Sequence, residues 1–173
     1  MKRLLLLRHA KATWKNPLQE DHERALTGRG RNAAEVMGHE MAKQGLLPDF
    51  ALCSTARRTT ETLAHVIPAL GPLRAQFDKN LYEASAESLL EQIRRLPARL
   101  SCVLLVGHNP SLEELAHSLC SNPGANAARR LSAKFPTAAL AVFKYEEEWK
   151  NLKFRSAHLE AFLTPRNLQN EQE

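Results

Sequence analysis

Two hydrophobic patterns alternate along this chain. Leu4 to Leu7 is a short unbroken apolar run that ends at a charged pair. Four residues are too few for three helical turns, so the run predicts a buried strand. Phe50 to Cys53, Cys102 to Val106 and Ala138 to Tyr145 repeat that pattern. Between these runs, apolar residues recur at helical spacing. Ala33, Val36, Met37 and Met41 share one face; so do Leu63, Val66, Ile67 and Leu70. Leu89, Leu90 and Ile93 form a third stripe, and Leu112, Leu115, Ala116 and Leu119 a fourth. Each stripe reads as the core face of a helix.

Turn and cap residues fall where these elements should stop. Thr27 precedes Gly28 and a basic helix start, while Gly45 ends that helix with Pro48 just beyond. Pro68, Gly71 and Pro72 close the next helix. Asn109-Pro110-Ser111, followed by Glu113 and Glu114, predicts a helix N-terminus, with Asn109 as a candidate cap. Asn122 to Lys134, containing Pro123 and Gly124, reads as a long surface connection. Strands alternating with helices predict an α/β fold: a three-layer α/β/α sandwich on a mostly parallel central sheet. No repeat or linker interrupts it, so residues 1–166 are expected to form a single domain, with 167–173 as a polar, fraying tail.

Composition narrows the class without changing the fold. The chain has 173 residues, 43% hydrophobic and 25% charged, a soluble globular balance. Its net charge of +5 and pI near 9.3 suit an anionic partner. Aromatics are only 6% and no long basic run occurs, so nucleic acid is not an expected partner. Cys53, Cys102 and Cys120 lack metal-binding spacing and read as buried thiols in a reducing compartment. The four leucines before Arg8 are too short for a signal sequence. No segment approaches the ~20 apolar residues of a membrane span. The expected location is therefore cytoplasmic, with no membrane partner.

Three predicted strands end in unusual residues. The first ends at Arg8-His9, the second runs into Ser54-Thr55-Ala56-Arg57-Arg58, and a later one ends at Gly107-His108-Asn109. Ligands of open α/β sheets bind beyond the carboxyl ends of strands. Two histidines and two or three arginines converging there would repel one another unless an anion sat among them. A phosphoryl group, with its charge spread over three oxygens, matches that set. The same positive charge opposes a metal ion, and no cofactor is implied.

These motifs resemble the histidine phosphatase superfamily, with its phosphoglycerate mutase-like fold. Its Arg-His-Gly signature is matched by Arg8-His9-Ala10, with alanine in place of glycine. Ser54 to Arg58, followed by Thr62, and Gly107 to Asn109 match further motifs. The order looks most similar to the SixA branch of short phosphohistidine phosphatases. That branch also carries an Asp-x-x-Arg-x-Leu-Thr-x-x-Gly segment and a late Phe-Pro-Thr, here Asp21 to Gly30 and Phe135 to Thr137. The resemblance implies a metal-independent phosphatase in which His9 is the nucleophile and forms a phosphohistidine intermediate. It implies that Arg8, Arg58 and His108 hold the phosphate oxygens, with Asn109 as a further contact. Its register selects Arg58 over Arg57. Glu83 matches the position of the proton-donating acid of ester-cleaving relatives; otherwise it is a solvated residue before the helix cap Ser85. Mutase relatives place a serine where this chain has Ala12, which argues against mutase chemistry.

The expected activity is thus hydrolysis of phosphohistidine on a protein such as a phosphotransfer domain. A phosphatase for a small phosphoester, using Glu83, is the alternative. A non-catalytic phosphate-binding module is the alternative of another class.

Overall fold

A computed structural model describes residues 1–14 and 16–170. Six strands form one sheet in the order β3-β2-β4-β1-β5-β6. They are β1 (Lys2–Arg8), β2 (Phe50–Ser54), β3 (Arg74–Asp78), β4 (Cys102–Gly107), β5 (Leu140–Tyr145) and β6 (His158–Leu163). The first four are mutually parallel, while β5 and β6 run antiparallel at one edge. The helices are α1 (Gly28–Lys43), α2 (Arg57–Leu70), α3 (Ala86–Arg94), α4 (Ser111–Leu119), α5 (Asn126–Ala133) and α6 (Pro165–Asn170).

The alternation of side chains along a strand divides the core into two layers. Leu4, Leu6, Leu52, Val103 and Leu105 face α3, α4 and α5. Leu5, Leu7, Ala51, Cys53, Leu104 and Val106 face α1, α2 and α6. The four leucines of β1 are thus apolar throughout because both sides of the strand are covered. This is the expected α/β/α arrangement. Among the described residues, no helix is long and apolar enough to cross a membrane.

The structure corrects several local expectations. Asn122 to Lys134 is not a bare connection: it contains α5, which buries Ala128 and Leu131. They stand three positions apart and so share one face, but the surrounding arginines and the Pro123-Gly124 turn obscure so short a stripe. β3 and β6 were not expected. β3 is an exposed edge strand with only intermediate burial at Ala75 and Asp78, and its pairing with β2 defines it. β6 alternates, burying Leu159 and Phe162. Pro68 lies inside α2 rather than beyond it, near the C-terminal end. The expected tail begins inside α6, where Leu168 is buried against the α1-side core; residues 171–173 lie outside the described residues.

Parallel pairing aligns the carboxyl ends of β1, β2 and β4. Arg8 lies opposite Gly107, and Cys53 opposite Val106. The antiparallel β5 begins at this same edge, because Leu140 pairs with Leu7. The Phe135 to Ala139 segment therefore reaches the strand ends as well.

Candidate active site

His9 follows the last residue of β1 and is only 8% exposed. Its Nδ1 lies 2.7 Å from the Ala10 carbonyl oxygen. A carbonyl can only accept, so neutral His9 carries its proton on Nδ1, and Nε2 keeps a free lone pair. Burial and the neighbouring His108, Arg8 and Arg58 push the His9 pKa down to about 3, although the Ala10 hydrogen bond acts in the opposite sense. The ring is therefore neutral at pH 7. The Ala10 amide in turn donates to Thr62 Oγ1 at 2.9 Å, and Thr62 donates to the Arg58 carbonyl at 2.6 Å. Thr62 thus ties the loop after β1 to α2. The Ala10 methyl, in place of the glycine of the family signature, is buried in the α1-side core.

His108 follows β4, and its ring centroid lies 5.4 Å from that of His9. Its Nε2 is 2.8 Å from Ser54 Oγ at the end of β2. Ser54 Oγ also accepts the Ala56 amide at 3.4 Å, and its second lone pair and its hydrogen let it serve His108 Nε2 as acceptor or donor. His108 Nδ1 is buried with no partner among the described residues. Burial, followed by Arg58, lowers the His108 pKa to about 4, while Asp21 pulls it upward.

Arg8 and Arg58 complete the cluster. Arg8 Nη1 donates to the Phe135 carbonyl at 3.1 Å, and its buried Nε has no partner. Arg58, 7% exposed, donates from Nη1 to the Asp21 carbonyl at 2.9 Å and from Nη2 to the Asp21 carboxylate at 3.0 Å. Asp21 also accepts from Tyr82 Oη and, at 3.0 Å, from Arg24. These bonds, Tyr82 first, hold the Asp21 carboxyl well below its ordinary pKa. Asp21 therefore anchors a site arginine and is more than a surface ion pair. Arg57 turns outward to Glu61 at 2.6 Å, so Arg58 is the arginine at the site.

The Asp21 to Gly30 segment has a physical basis. Asp21 holds Arg58, while Arg24 holds Asp21 and the Thr13 carbonyl. Thr27 caps α1 by accepting the Gly30 amide. A Cβ on Gly30 would fall 2.1 Å from the Lys11 carbonyl oxygen, so only glycine lets the loop after His9 lie on α1.

The structure brings together Arg8, His9, Arg58, His108 and Asn109. Asn109 is not the cap of α4, which has no side-chain cap bond. Its Nδ2 donates to the Phe135 carbonyl at 3.0 Å, while its Oδ1 is buried and unpartnered. Glu83 does not join the set: it is exposed and makes no ion pair or side-chain hydrogen bond among the described residues. Its backbone is left-handed, with φ 54°. The preceding residue, Tyr82, packs edge-on against His108 at 5.4 Å and beneath Arg58 at 5.8 Å, with His22 edge-on beyond it at 5.0 Å. Tyr82 and the roles of Ser54, Thr62 and the Ala10 and Phe135 carbonyls were not foreseen. Ser54 and Thr62 stand in the quoted motifs, but backbone acceptors leave no trace in side-chain identity.

The depressed histidine pKa values carry a stability consequence. Both folded values lie below the ordinary 6.5, so the full contribution is present above pH 6.5 and is lost as pH falls toward 4 and then 3. In that window the unfolded chain takes up protons that the folded chain refuses. Each histidine can steepen the loss by up to ~1.4 kcal/mol per pH unit. Urea unfolding at pH 7 and pH 5 should show a smaller acid loss in a His9→Asn/His108→Asn variant than in wild type. Equal losses would contradict the neutral, desolvated pair.

Comparison with known proteins agrees with this geometry. The histidine phosphatase superfamily (branch 1) model matches residues 4–89. An uncharacterized protein of Mycobacterium tuberculosis is 36% identical over 163 residues, covering 92% of this chain and 100% of that protein. A SixA protein from Agrobacterium tumefaciens superposes with a TM-score of 0.80 at 31% identity, covering 95% of this chain and 98% of the other. One from Nakamurella multipartitia gives 0.84 at 28% identity, covering 95% and 96%. This chain belongs to the histidine phosphatase superfamily, in its SixA-like branch.

Proposed function

We propose that the chain removes phosphate from phosphohistidine on a protein, through a covalent phospho-His9 intermediate. One observation carries this reading. The buried donor Arg8 Nε and the buried His108 Nδ1 lack partners beside a neutral histidine whose Nε2 is free. An unpaired buried donor costs ~1–3 kcal/mol, and a phosphoryl group would satisfy Arg8 Nε, and His108 in its Nδ1-protonated form.

In the first step His9 Nε2 gives its lone pair to phosphorus, and the P–N bond of the substrate breaks. The three equatorial oxygens are met by Arg8, Arg58 and His108, which supply the electrostatic part of the acceleration. The departing imidazole keeps the bonding pair and takes a proton from solvent. As His9 becomes phosphorylated it retains its Nδ1 proton, still donated to Ala10. Water then attacks phosphorus, the P–N bond to His9 breaks, and phosphate leaves with His9 neutral again.

The choice of substrate follows from the proton that the leaving group needs. An alkoxide requires an acid, whereas imidazole requires less help. Glu83 lies outside the hydrogen-bonded cluster, which favours the phosphohistidine substrate. Its left-handed φ of 54° is the one observation that favours the second reading, a small phosphoester cleaved with Glu83 as acid. Glu83→Gln should leave phosphohistidine turnover within about threefold of wild type and lower phosphoester turnover ~100-fold or more. Paired steady-state assays on a phosphohistidine protein and an alkyl phosphate such as glycerol phosphate, whose alkoxide needs a proton to leave, would measure both. Equal, large losses on both substrates would place Glu83 in the common chemistry. The partner we propose is a protein bearing phosphohistidine, and the three free thiols fit the reducing cytoplasm.

A further inference from the structure

A cavity runs along the β3 edge of the sheet, on the face that carries α3. Parallel register puts Arg74 beside Phe50, Gln76 beside Leu52 and Asp78 beside Ser54. Paired residues share a face, so β3 presents Arg74, Gln76 and Asp78 on the side where β2 presents Phe50 and Leu52. The helix layer stops one strand short of the sheet edge: the core on this side includes Leu52 and takes nothing from β3. The result is a trough of about 700 Å³, within the range of small-molecule sites. Phe50, Leu52, Leu96 and Leu100 supply its apolar lining.

The charge of this trough is uneven. Arg74, Arg95 and Arg99 line it, and none makes an ion pair or side-chain hydrogen bond among the described residues. Its two carboxylates are already engaged with backbone amides. Asp49 accepts from Ser101 at 2.6 Å and Cys102 at 3.0 Å, and Asp78 accepts from Asn80 at 2.8 Å. Three uncommitted guanidinium groups therefore surround an apolar floor, with Gln76 and Gln92 offering amides at its side. Arginine forks match phosphate oxygens in pairs, and planar rings lie well on aliphatic and aromatic surface.

We infer that this trough binds a nucleotide, with its phosphates on Arg74, Arg95 and Arg99 and its base on the Phe50–Leu52–Leu96 floor. Arg74 begins β3, four residues before Asp78, which places it about 13 Å along the strand from the end nearest the phosphatase site. The two sites share no side chain, so binding here is independent of the chemistry at His9.

ATP titrated calorimetrically into the wild-type chain should bind one per chain, with or without saturating orthovanadate at the other site. The Arg74→Ala/Arg95→Ala/Arg99→Ala variant should bind at least tenfold more weakly yet dephosphorylate its substrate at the wild-type rate. All three residues are exposed, so this variant should fold normally. Inorganic triphosphate, which has no base, should bind at least tenfold more weakly than ATP. No binding of ATP, loss of all binding under vanadate, or full binding by the triple variant would overturn the inference. Equal affinity for triphosphate and ATP would remove the role of the apolar floor.

Discussion

Replacing His9 with asparagine should lower phosphohistidine turnover by at least ~10⁴-fold while leaving the chain folded. Loss of a nucleophile elsewhere costs on the order of 10⁶, with the residue coming from the remaining electrostatic machinery. Here Arg8, Arg58 and His108 would survive the change and still bind phosphate, so the loss should fall on kcat more than on substrate affinity. Asparagine is close to histidine in reach, and its amide can still donate to the Ala10 carbonyl that holds Nδ1. The local fold therefore keeps its main contact. Single-turnover kinetics with a phosphohistidine protein would measure the effect. A variant that retained more than a tenth of wild-type turnover would exclude His9 as the nucleophile.

Arg58→Ala is the second large effect, expected at ~100- to 1,000-fold in kcat, the scale for one lost preorganised donor. Arg58 is nearly buried and aimed by two bonds from Asp21, so its charge costs little reorganisation when the transition state forms. Its removal leaves Asp21 with Tyr82 and Arg24, partly exposed, so no carboxylate is stranded in the core. Arg57→Ala is the matched control. Arg57 is half-exposed and points away from the site to Glu61, which also accepts the Leu26 amide, and an ion pair with so exposed an arginine contributes little. Its turnover should stay within about threefold of wild type. Comparable losses in the two variants would mean that net charge near the site, rather than one aimed guanidinium, governs the rate.

Much of this arrangement is legible along the chain because the relevant physics is local. Leu4 to Leu7 can only be continuous if both faces are covered, and a charged pair directly after such a strand must sit at its carboxyl end. The same holds for Gly107-His108. Side chains of the candidate site are therefore visible as polar residues interrupting apolar runs. What holds them is less visible. The Ala10 and Phe135 carbonyls act through the backbone, and any residue could supply them. Tyr82 lies after an edge strand that the hydrophobic pattern does not mark, so nothing in its surroundings announces a contact with His108. Asp21 is recognisable as part of a motif, yet its partner Arg58 is 37 residues away, and Arg24, three residues on, is the nearer candidate. Asn109 shows the opposite error. Its position before Pro110 fits a helix cap, but its Oδ1, the atom a cap uses, accepts no amide, and its Nδ2 is held by the Phe135 carbonyl ahead of β5.

The same division accounts for α5 and β3. α5 buries one short stripe, Ala128 and Leu131, beneath arginines, and β3 is strand only because β2 lends it hydrogen bonds. Elements with little core of their own depend on tertiary partners, and periodicity cannot supply those.

The most direct measurement is a rapid-quench trap of the enzyme during turnover of a ³²P-phosphohistidine protein. Wild type should carry label that is stable to alkali, labile to acid and located on His9, and His9→Asn should carry none. Phosphate release at the wild-type rate without label on His9, or equal labelling of His9→Asn, would contradict the account.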